Sequence, residues 1–236
     1  MKKAILCLVM FALATVSCRK DEDTIVPEVE ITTQNSYDDQ AVQKYLQTHY
    51  LDSKGNVKDF AEGDTVNVKL IDMEPVTLPS GVVYIVRPGA QPEPGTPIGS
   101  TDIIHLMGSI MTYVATETDG KVGFNSPYPF INTLTQTGVP QEDPAYYYVK
   151  QSVLDAASAG VAKERSYYEI EGFREALQKF KAFDLPEDAD YNLQGVIIVP
   201  SRAAFARDAH FNYNNISLRN RSFVFNFQVY KSMTRP

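Results

Sequence analysis

Residues 223–229 read Phe-Val-Phe-Asn-Phe-Gln-Val, and this stretch decides the fold that the sequence predicts. The three phenylalanines alternate with Val224, Asn226 and Gln228. A period of two puts the phenylalanines on one face of a β-strand, where they can pack in a core. We therefore predict a strand near the end of the chain, with the phenylalanines on one of its faces.

Three runs earlier in the chain also predict strands. Residues 66–70 alternate between apolar and polar side chains, and residues 81–86 and 101–115 are rich in β-branched residues. Between the last two runs, residues 88–97 hold four prolines and two glycines. Such a segment cannot form a regular ladder, so we predict a loop there.

Helical spacing of apolar residues appears in fewer places. Residues 36–50 predict one short amphipathic helix, with Ser36 or Asp38 as its N-cap. Residues 172–181 predict a second, and the Ala- and Ser-rich stretch 152–163 predicts a third. The helix over residues 172–181, packed against a mostly antiparallel sheet, gives an α+β fold.

The start of the chain has the pattern of a secretory signal peptide. Lys2 and Lys3 precede an apolar run over residues 4–16, which is too short to cross a bilayer permanently. Ser17 then stands directly before Cys18, and this end of the run resembles the lipobox of bacterial lipoproteins. The resemblance implies cleavage before Cys18 and lipidation of its sulfur. The alternative is an ordinary signal peptide followed by an incidental cysteine.

The charged residues 19–23, Arg-Lys-Asp-Glu-Asp, resemble the export signal that sends some Bacteroidota lipoproteins to the outer leaflet of the outer membrane. A solvated tether explains the same residues, and both interpretations can hold together. We expect a protein of the cell envelope that is lipid-anchored to the outer membrane through Cys18, on its periplasmic or its surface-exposed face.

The predicted organisation has four parts. They are a signal peptide (1–17), a tether (18–35), an N-terminal extension with a short helix (36–75) and a folded domain (76–236) with a long insert at about 126–166.

Charge and cysteine content exclude several functions. The chain has 22 basic and 29 acidic residues, net −7, so we expect no binding of nucleic acid. Cys7 lies in the leader and Cys18 in the lipidation motif, which leaves no thiol for a disulfide, a nucleophile or a metal. The three histidines are scattered, and no hydrolase or phosphate-loop motif occurs.

Three blocks, in order along the chain, resemble the FKBP-type peptidyl-prolyl cis-trans isomerases, in the lipoprotein form found in Bacteroidota. Residues 169–180 match the strand end and the Gly-aromatic pair that open the family's single helix. Residues 196–206 match its I-P-x-x-L-A-Y-G stretch, and residues 223–229 match its last strand. The resemblance covers roughly residues 76–231.

The resemblance implies a twisted antiparallel β-sheet wrapped around one short helix, and it implies isomerisation of X-Pro bonds. The barrier of about 18–20 kcal/mol comes from amide resonance. An aromatic pocket that favours the twisted amide lowers this barrier by differential binding. Such a reaction needs no metal, no cofactor and no nucleophile.

The family's pocket is carried over residue by residue. Phe173 would form its floor, where the family has tryptophan. The expected catalytic residues are Phe124, Asn125, Ile170, Phe173, Phe205 and Phe225. The expected substrate-binding residues are Leu106, Glu169, Ala204 and Ile216. By pattern alone, Phe225 is equally well explained as a core aromatic.

Several of these positions depart from the family. Leu106 and Phe205 replace tyrosines and Asn125 replaces aspartate, and each lost hydrogen bond costs about 0.5–1.5 kcal/mol. Glu169 replaces a valine whose backbone amide receives ligand carbonyls. Two functions follow: an isomerase acting on X-Pro bonds of envelope proteins, or a catalytically inactive binding, chaperone or structural subunit of an envelope complex. The partner would be a proline-containing polypeptide or an envelope protein, and the insert could cover the cleft as a lid.

Overall fold

The computed structural model describes residues 28–236. The predicted signal peptide, Cys18 and most of the predicted tether lie outside the described residues. Along the described part the elements are α1 (Ile31–Thr48), β1 (His49–Leu51), β2 (Val57–Asp59), β3 (Val76–Thr77), β4 (Val83–Val86), β5 (Thr96–Pro97), β6 (Ile103–Thr118), β7 (Lys121–Asn132), β8 (Gln141–Glu142), α2 (Gln151–Ala156), α3 (Glu171–Leu177), β9 (Lys181–Ala182), β10 (Gly195–Val199) and β11 (Arg221–Met233).

The main sheet has seven strands, and its pairs are all antiparallel. The strand order is β3-β4-β10-β11-β6-β7, and β8 adds to the end of β6 that lies beyond β7. Two short ribbons, β1 with β2 and β5 with β9, lie outside this sheet. The predicted α+β class with a mostly antiparallel sheet is confirmed.

The strand predicted from residues 223–229 forms the centre of the sheet. β11 pairs with β10 on one side and β6 on the other. Phe223, Phe225 and Phe227 are fully buried on the face that α3 covers, while Val224 packs on the opposite face. The period of two in the sequence therefore described the side-chain directions correctly.

The opposite face of the sheet is covered by α1. Val42, Tyr45 and Leu46 pack on buried residues of β4, β10 and β11. This spacing is the apolar stripe that the sequence predicted for a helix over residues 36–50. The sheet is thus covered on both faces, with α3 and the insert on one side and α1 on the other.

Helix α1 begins at Ile31, earlier than its apolar pattern indicates, so residues 31–35 are not part of a tether. The first turn is held by hydrogen bonds of a buried polar side chain. Gln34 donates to Asp38 Oδ1 and to the carbonyl of Ala115. Asp38 lies inside the helix and does not cap it. A hydropathy pattern cannot show that polar side chains will be buried by pairing.

The strand predicted over residues 66–70 is wrong. The Asp64 carboxylate accepts hydrogen bonds from the amides of Val66 and Asn67 and holds this segment in a turn. Val66 is 86% exposed and Val68 is 57% exposed, and Leu70 begins a short 3-10 helix. Local side-chain-to-backbone bonding by aspartate has overridden the alternating pattern.

The other predicted elements are present with shifted ends. Residues 81–86 contain β4, and residues 101–115 lie mostly in β6, which continues to Thr118. Within the stretch 172–181, α3 ends at Leu177. The 152–163 stretch forms α2 and then a 3-10 turn over Gly160–Lys163.

Much of the predicted insert is integrated into the sheet and the core. Its first residues complete β7, and Gln141–Glu142 pairs with β6 as β8. The chain then carries Tyr146 and Tyr147 into the core beneath α3, where both are buried. No helix within residues 28–236 is both long enough and apolar enough to span a bilayer.

Candidate functional site

Two of the predicted site residues form the centre of the candidate site. The rings of Phe173 and Phe225 stack with centroids 3.9 Å apart and an interplanar angle of 8°. Both are fully buried, as is Ile170, and Phe205 is 2% exposed in the same core. Phe173 faces the sheet from the first turn of α3, and the alternation along β11 turns Phe225 toward it.

The site is filled by a tyrosine of the insert. Tyr146 is 1% exposed, and its ring centroid lies 6.1 Å from that of Phe173 and 6.2 Å from that of Phe225. Phe130 and Tyr213 enclose it further, at 5.4 and 6.3 Å. These five residues, with Phe223, are called the aromatic cluster below.

The hydroxyl of Tyr146 donates a hydrogen bond of 3.1 Å to Gln141 Oε1. Burial raises the pKa of the Tyr146 phenol far above its usual range, so the hydroxyl stays protonated and neutral. A neutral, hydrogen-bonded phenol suits an apolar enclosure. Tyr146 therefore occupies the aromatic cluster as a well-paired core residue.

The backbone donors at the start of α3 are also occupied. The Ile170 amide donates a hydrogen bond of 2.7 Å to the carbonyl of Tyr146, and the Glu169 amide donates one of 2.9 Å to the carbonyl of Arg165. The expectation that the Glu169 amide is available to a ligand carbonyl is therefore wrong for this conformation. Tyr146 supplies both a ring and a carbonyl to this site.

The Glu169 side chain is part of a buried ion cluster and not a charge at the rim of a pocket. Its carboxylate is 2% exposed, pairs with Arg165 at 3.0 Å and with Arg174, and accepts a 3.0 Å hydrogen bond from the Val149 amide. A buried carboxylate is tolerated when charge and hydrogen bonds compensate its desolvation. Glu169 thereby ties the segment after Tyr146 to α3.

Two other insert tyrosines fix the same segment. The Tyr147 hydroxyl donates to the carbonyl of Gly99. The Tyr148 ring lies between two guanidinium groups, with Arg165 at 4.4 Å and Arg235 at 4.1 Å from its centroid. Cation–π contacts of this kind add stability on both faces of the ring.

The remaining predicted substrate contacts lie around this core. Leu106 is buried on β6 and belongs to the same hydrophobic core. Ala204 and Ile216 are half-buried and pack against its edge. The structure therefore gathers eight of the ten predicted residues in or around one core: Leu106, Glu169, Ile170, Phe173, Ala204, Phe205, Ile216 and Phe225.

Phe124 and Asn125 are not part of this site, and their predicted placement is wrong. Phe124 packs on the α1 face, 5.9 Å from Tyr45 and stacked on Tyr113 at 5.2 Å. Asn125 is exposed, and its amide donates a 2.7 Å hydrogen bond to the Thr116 hydroxyl.

Phe130 belongs to the aromatic cluster, in place of the predicted Phe124. Ile131 pairs with Ile110 and Pro129 pairs with Met111, so Phe130 is the extra residue of a β-bulge in β7. A bulge redirects side chains relative to simple alternation. The sequence contains no clear mark of this bulge, and the only signal for Tyr146 was its place in the Tyr-Tyr-Tyr run at 146–148.

No metal site accompanies this arrangement. Among residues 28–236, no three His, Cys, Asp or Glu side chains are close enough together to hold a metal ion. His105 is nearly buried, and its Nδ1 lies 2.8 Å from Glu187 Oε1.

No protein-family model matches the chain, and no curated protein sequence matches it significantly.

Proposed function

We propose that this chain is an FKBP-like, lipid-anchored binding subunit of the cell envelope that does not catalyse prolyl isomerisation in the conformation described. The observation that carries the proposal is the occupation of the aromatic cluster by Tyr146, together with the hydrogen bond from the Ile170 amide to the Tyr146 carbonyl. The Tyr146 ring fills the space that a proline ring would need beside Phe173 and Phe225, and the Glu169 amide, which the resemblance assigns to a ligand carbonyl, donates instead to the carbonyl of Arg165.

The magnitude of the Tyr146 contact supports the absence of catalysis. A buried tyrosine removes about 150–250 Å² from water, and at about 25 cal/mol per Å² its exposure costs about 4–6 kcal/mol. Every 1.4 kcal/mol is a factor of ten in population, so an open site would be present in roughly one molecule in a thousand or fewer. Any turnover would be reduced by the same factor.

The chemistry of the pocket walls points in the same direction. Leu106 and Phe205 are buried without hydroxyl groups, and the nearby Glu169 is fully engaged with Arg165 and Arg174. A ligand carbonyl would therefore find no hydroxyl donor at the two tyrosine positions of the family. These walls support a binding role more than they support catalysis.

A prolyl isomerase is the second candidate, and a specific observation favours it. The stacked pair Phe173 and Phe225, with Ile170 and Phe205 beside it, keeps the apolar enclosure that the reaction needs. If Tyr146 left the aromatic cluster, this enclosure and the Ile170 amide would become available together. Isomerisation then depends on displacement of the insert.

An isomerase assay decides between these candidates. The chain from Arg19 onward, which retains all described elements, is assayed with X-Pro peptides by exchange NMR, beside Tyr146→Ala, Phe173→Ala and the double variant. We expect no acceleration by the wild type and acceleration by Tyr146→Ala that the double variant loses. Catalysis by the wild type that Phe173→Ala abolishes would overturn the proposal. Circular dichroism shows whether each variant is folded.

The envelope location is proposed from the leader sequence. The lipobox-like Ser17-Cys18 and the charged residues 19–23 support an outer-membrane lipoprotein with a short tether. Incorporation of a labelled fatty acid into the wild type but not into Cys18→Ala would support the anchor. Equal labelling of both proteins, or of neither, would contradict it.

A further inference from the structure

A groove crosses the face of the sheet opposite the aromatic cluster. One part, of about 670 Å³, lies between α1 and the hairpin of β6 and β7. A second part, of about 460 Å³, lies between the β1–β2 ribbon and the sheet. The two parts are adjacent, since Tyr45, His49, Asp59 and Tyr113 line both of them. Together they are called the α1 groove below.

The floor of the α1 groove is amphipathic. Tyr113 and Phe124 stack at 5.2 Å and present half-buried rings, and Met111 continues this surface along β6. Ser109 and Asn132 add polar groups at the far end. Such a floor can hold apolar side chains while neighbouring backbone groups are hydrogen-bonded.

The rim of the α1 groove is positively charged. Lys44 and Lys121 line one part and Lys58 lines the other, and none of these lysines forms an ion pair within residues 28–236. Asp59 is the one carboxylate among the lining residues, and it lies 3.2 Å from His49 Nε2. Burial lowers the pKa of His49, so its imidazole is largely neutral at pH 7.

This local charge is opposite to that of the whole chain, which is net −7. Three lysines and one carboxylate line this groove, so its charge is locally positive on an otherwise acidic protein. An anionic ligand is therefore attracted there and repelled elsewhere, which is the arrangement that selects a binding orientation.

The length of the α1 groove favours a chain molecule over a compact one. The lining residues of α1 run from Ala41 to Thr48, about 10 Å along the helix axis, and further lining residues lie across β6 as far as Asn132. That length of helix alone accommodates roughly three residues of extended polypeptide. A nucleic acid fits less well, because three lysines neutralise few phosphates and Asp59 would face the backbone.

We propose that the α1 groove binds an extended, acidic polypeptide segment of a partner protein, with its carboxylates at Lys44, Lys58 and Lys121 and its apolar side chains on Tyr113 and Phe124. The inference rests on the proposed binding role and gives it a surface distinct from the aromatic cluster. The aromatic cluster, on the α3 face of the sheet, is closed. The α1 groove, on the opposite face, is open to a ligand.

Binding of two ten-residue fluorescent peptides tests the proposal. One repeats Glu-Tyr-Glu-Glu, and the other has every glutamate replaced by lysine. The protein is the chain from Arg19 onward, and affinity is measured by fluorescence anisotropy at low and at physiological salt. We expect binding of the glutamate peptide, weakening with salt, and at least tenfold weaker binding of the lysine peptide.

Charge-reversal variants locate the binding. Lys44→Glu with Lys121→Glu changes the α1 groove, and Lys163→Glu with Lys179→Glu makes the same charge change at exposed lysines outside it. We expect about a tenfold loss of affinity from the first pair and less than a twofold loss from the second. Equal losses, or no discrimination between the two peptides, would overturn the proposal.

Two further outcomes assign the α1 groove to another occupant and also overturn the proposal. One is tight binding of a ten-nucleotide single strand in place of the glutamate peptide. The other is peptide binding only after removal of residues 19–27, which contain Asp21, Glu22 and Asp23, because the occupant would then be this chain's own segment.

The same protein samples are also assayed for prolyl isomerase activity. Catalysis by the wild type with normal peptide binding would refute the proposed absence of catalysis and leave the α1 groove proposal standing. Absence of peptide binding without catalysis would refute the α1 groove alone. The two proposals therefore fail in distinguishable ways.

Discussion

The Asp38 carboxylate on α1 accepts two hydrogen bonds from Ser201, one of 2.9 Å from its amide and one of 2.6 Å from its hydroxyl. Asp38 is fully buried, and Gln34 donates a third hydrogen bond to its other oxygen. Ser201 begins the turn that leads to Ala204 and Phe205 at the edge of the core. This contact joins the N-terminal helix to the loop beside the candidate site.

Asp38 predicts a specific pH dependence of stability. Burial raises its pKa in the folded state, in spite of the bonds from Ser201 and Gln34. The folded protein then holds this proton more tightly than the unfolded chain, so the Asp38 contribution to stability falls as pH rises from the unfolded pKa through the raised folded one. Asp38→Asn cannot titrate. We expect the melting temperature of the wild type, relative to Asp38→Asn, to decrease as pH rises above the ordinary aspartate pKa of about 4.

Other carboxylates titrate equally in both proteins, so the difference between the two melting curves isolates Asp38. A difference that stays constant with pH, or grows as pH rises, would contradict the raised pKa. Asp39→Asn is a matched control, because Asp39 is a more exposed carboxylate that pairs with Arg202 at the surface of the same helix.

Glu169 predicts a large loss of stability on neutralisation. Glu169→Gln removes the charge that pairs with Arg165 and Arg174, whose side chains are 34% and 25% exposed. Breaking a fully buried pair costs about 3–5 kcal/mol, and because water reaches both arginines we expect about 2–3 kcal/mol here. Chemical denaturation measures the change, and Asp59→Asn, at an exposed carboxylate paired with His49, should cost less than about 1 kcal/mol. Equal losses of stability from the two substitutions would mean that the ion pairs of Glu169 contribute no more than an exposed pair does.

Two substitutions of Tyr146 should lower the stability of the protein by different amounts. Tyr146→Phe loses only the hydrogen bond to Gln141, at a cost of about 0.5–1.5 kcal/mol, because the ring stays in the aromatic cluster. Tyr146→Ala removes the ring and should cost about 3–5 kcal/mol. Denaturant midpoints with unchanged slopes would measure both values. A Tyr146→Ala loss no larger than that of Tyr146→Phe would show that the ring does not fill this site.

The sequence predicted the parts of the fold that depend on local periodicity. The alternation over 223–229 and the spacing of Phe173 and Leu177 identified β11 and α3 and the faces that they bury. The candidate site was predicted less well, because it depends on contacts between distant segments. Phe130 enters it through a bulge, and Tyr146 enters through an insert whose path no local pattern records.

The same distinction explains the error at residues 66–70 and the early start of α1. In both places the outcome depends on a polar side chain that bonds to backbone, as Asp64 does with the amide of Val66 and Gln34 does with the carbonyl of Ala115. Apolar and polar spacing does not encode such pairing. Propensity patterns therefore predict that these strands and helices exist, whereas polar contacts determine the residues at which they begin and end.

The absence of a side chain at Gly172 allows α3 to approach the sheet closely. A Cβ at this position would lie 2.7 Å from Val82 Cγ2, 2.8 Å from Val199 Cγ1 and 2.9 Å from the carbonyl oxygen of Ala203. Because two of these atoms belong to fully buried side chains and one to backbone, Gly172→Ala should force α3 outward and cost about 1–3 kcal/mol. Gly123→Ala is the control, because its Cβ would meet only the flexible end of Lys44, at 3.0 Å. We expect denaturation to show less than about 0.5 kcal/mol at Gly123, and a Gly172→Ala protein as stable as the wild type would mean that α3 can pack with a larger residue there.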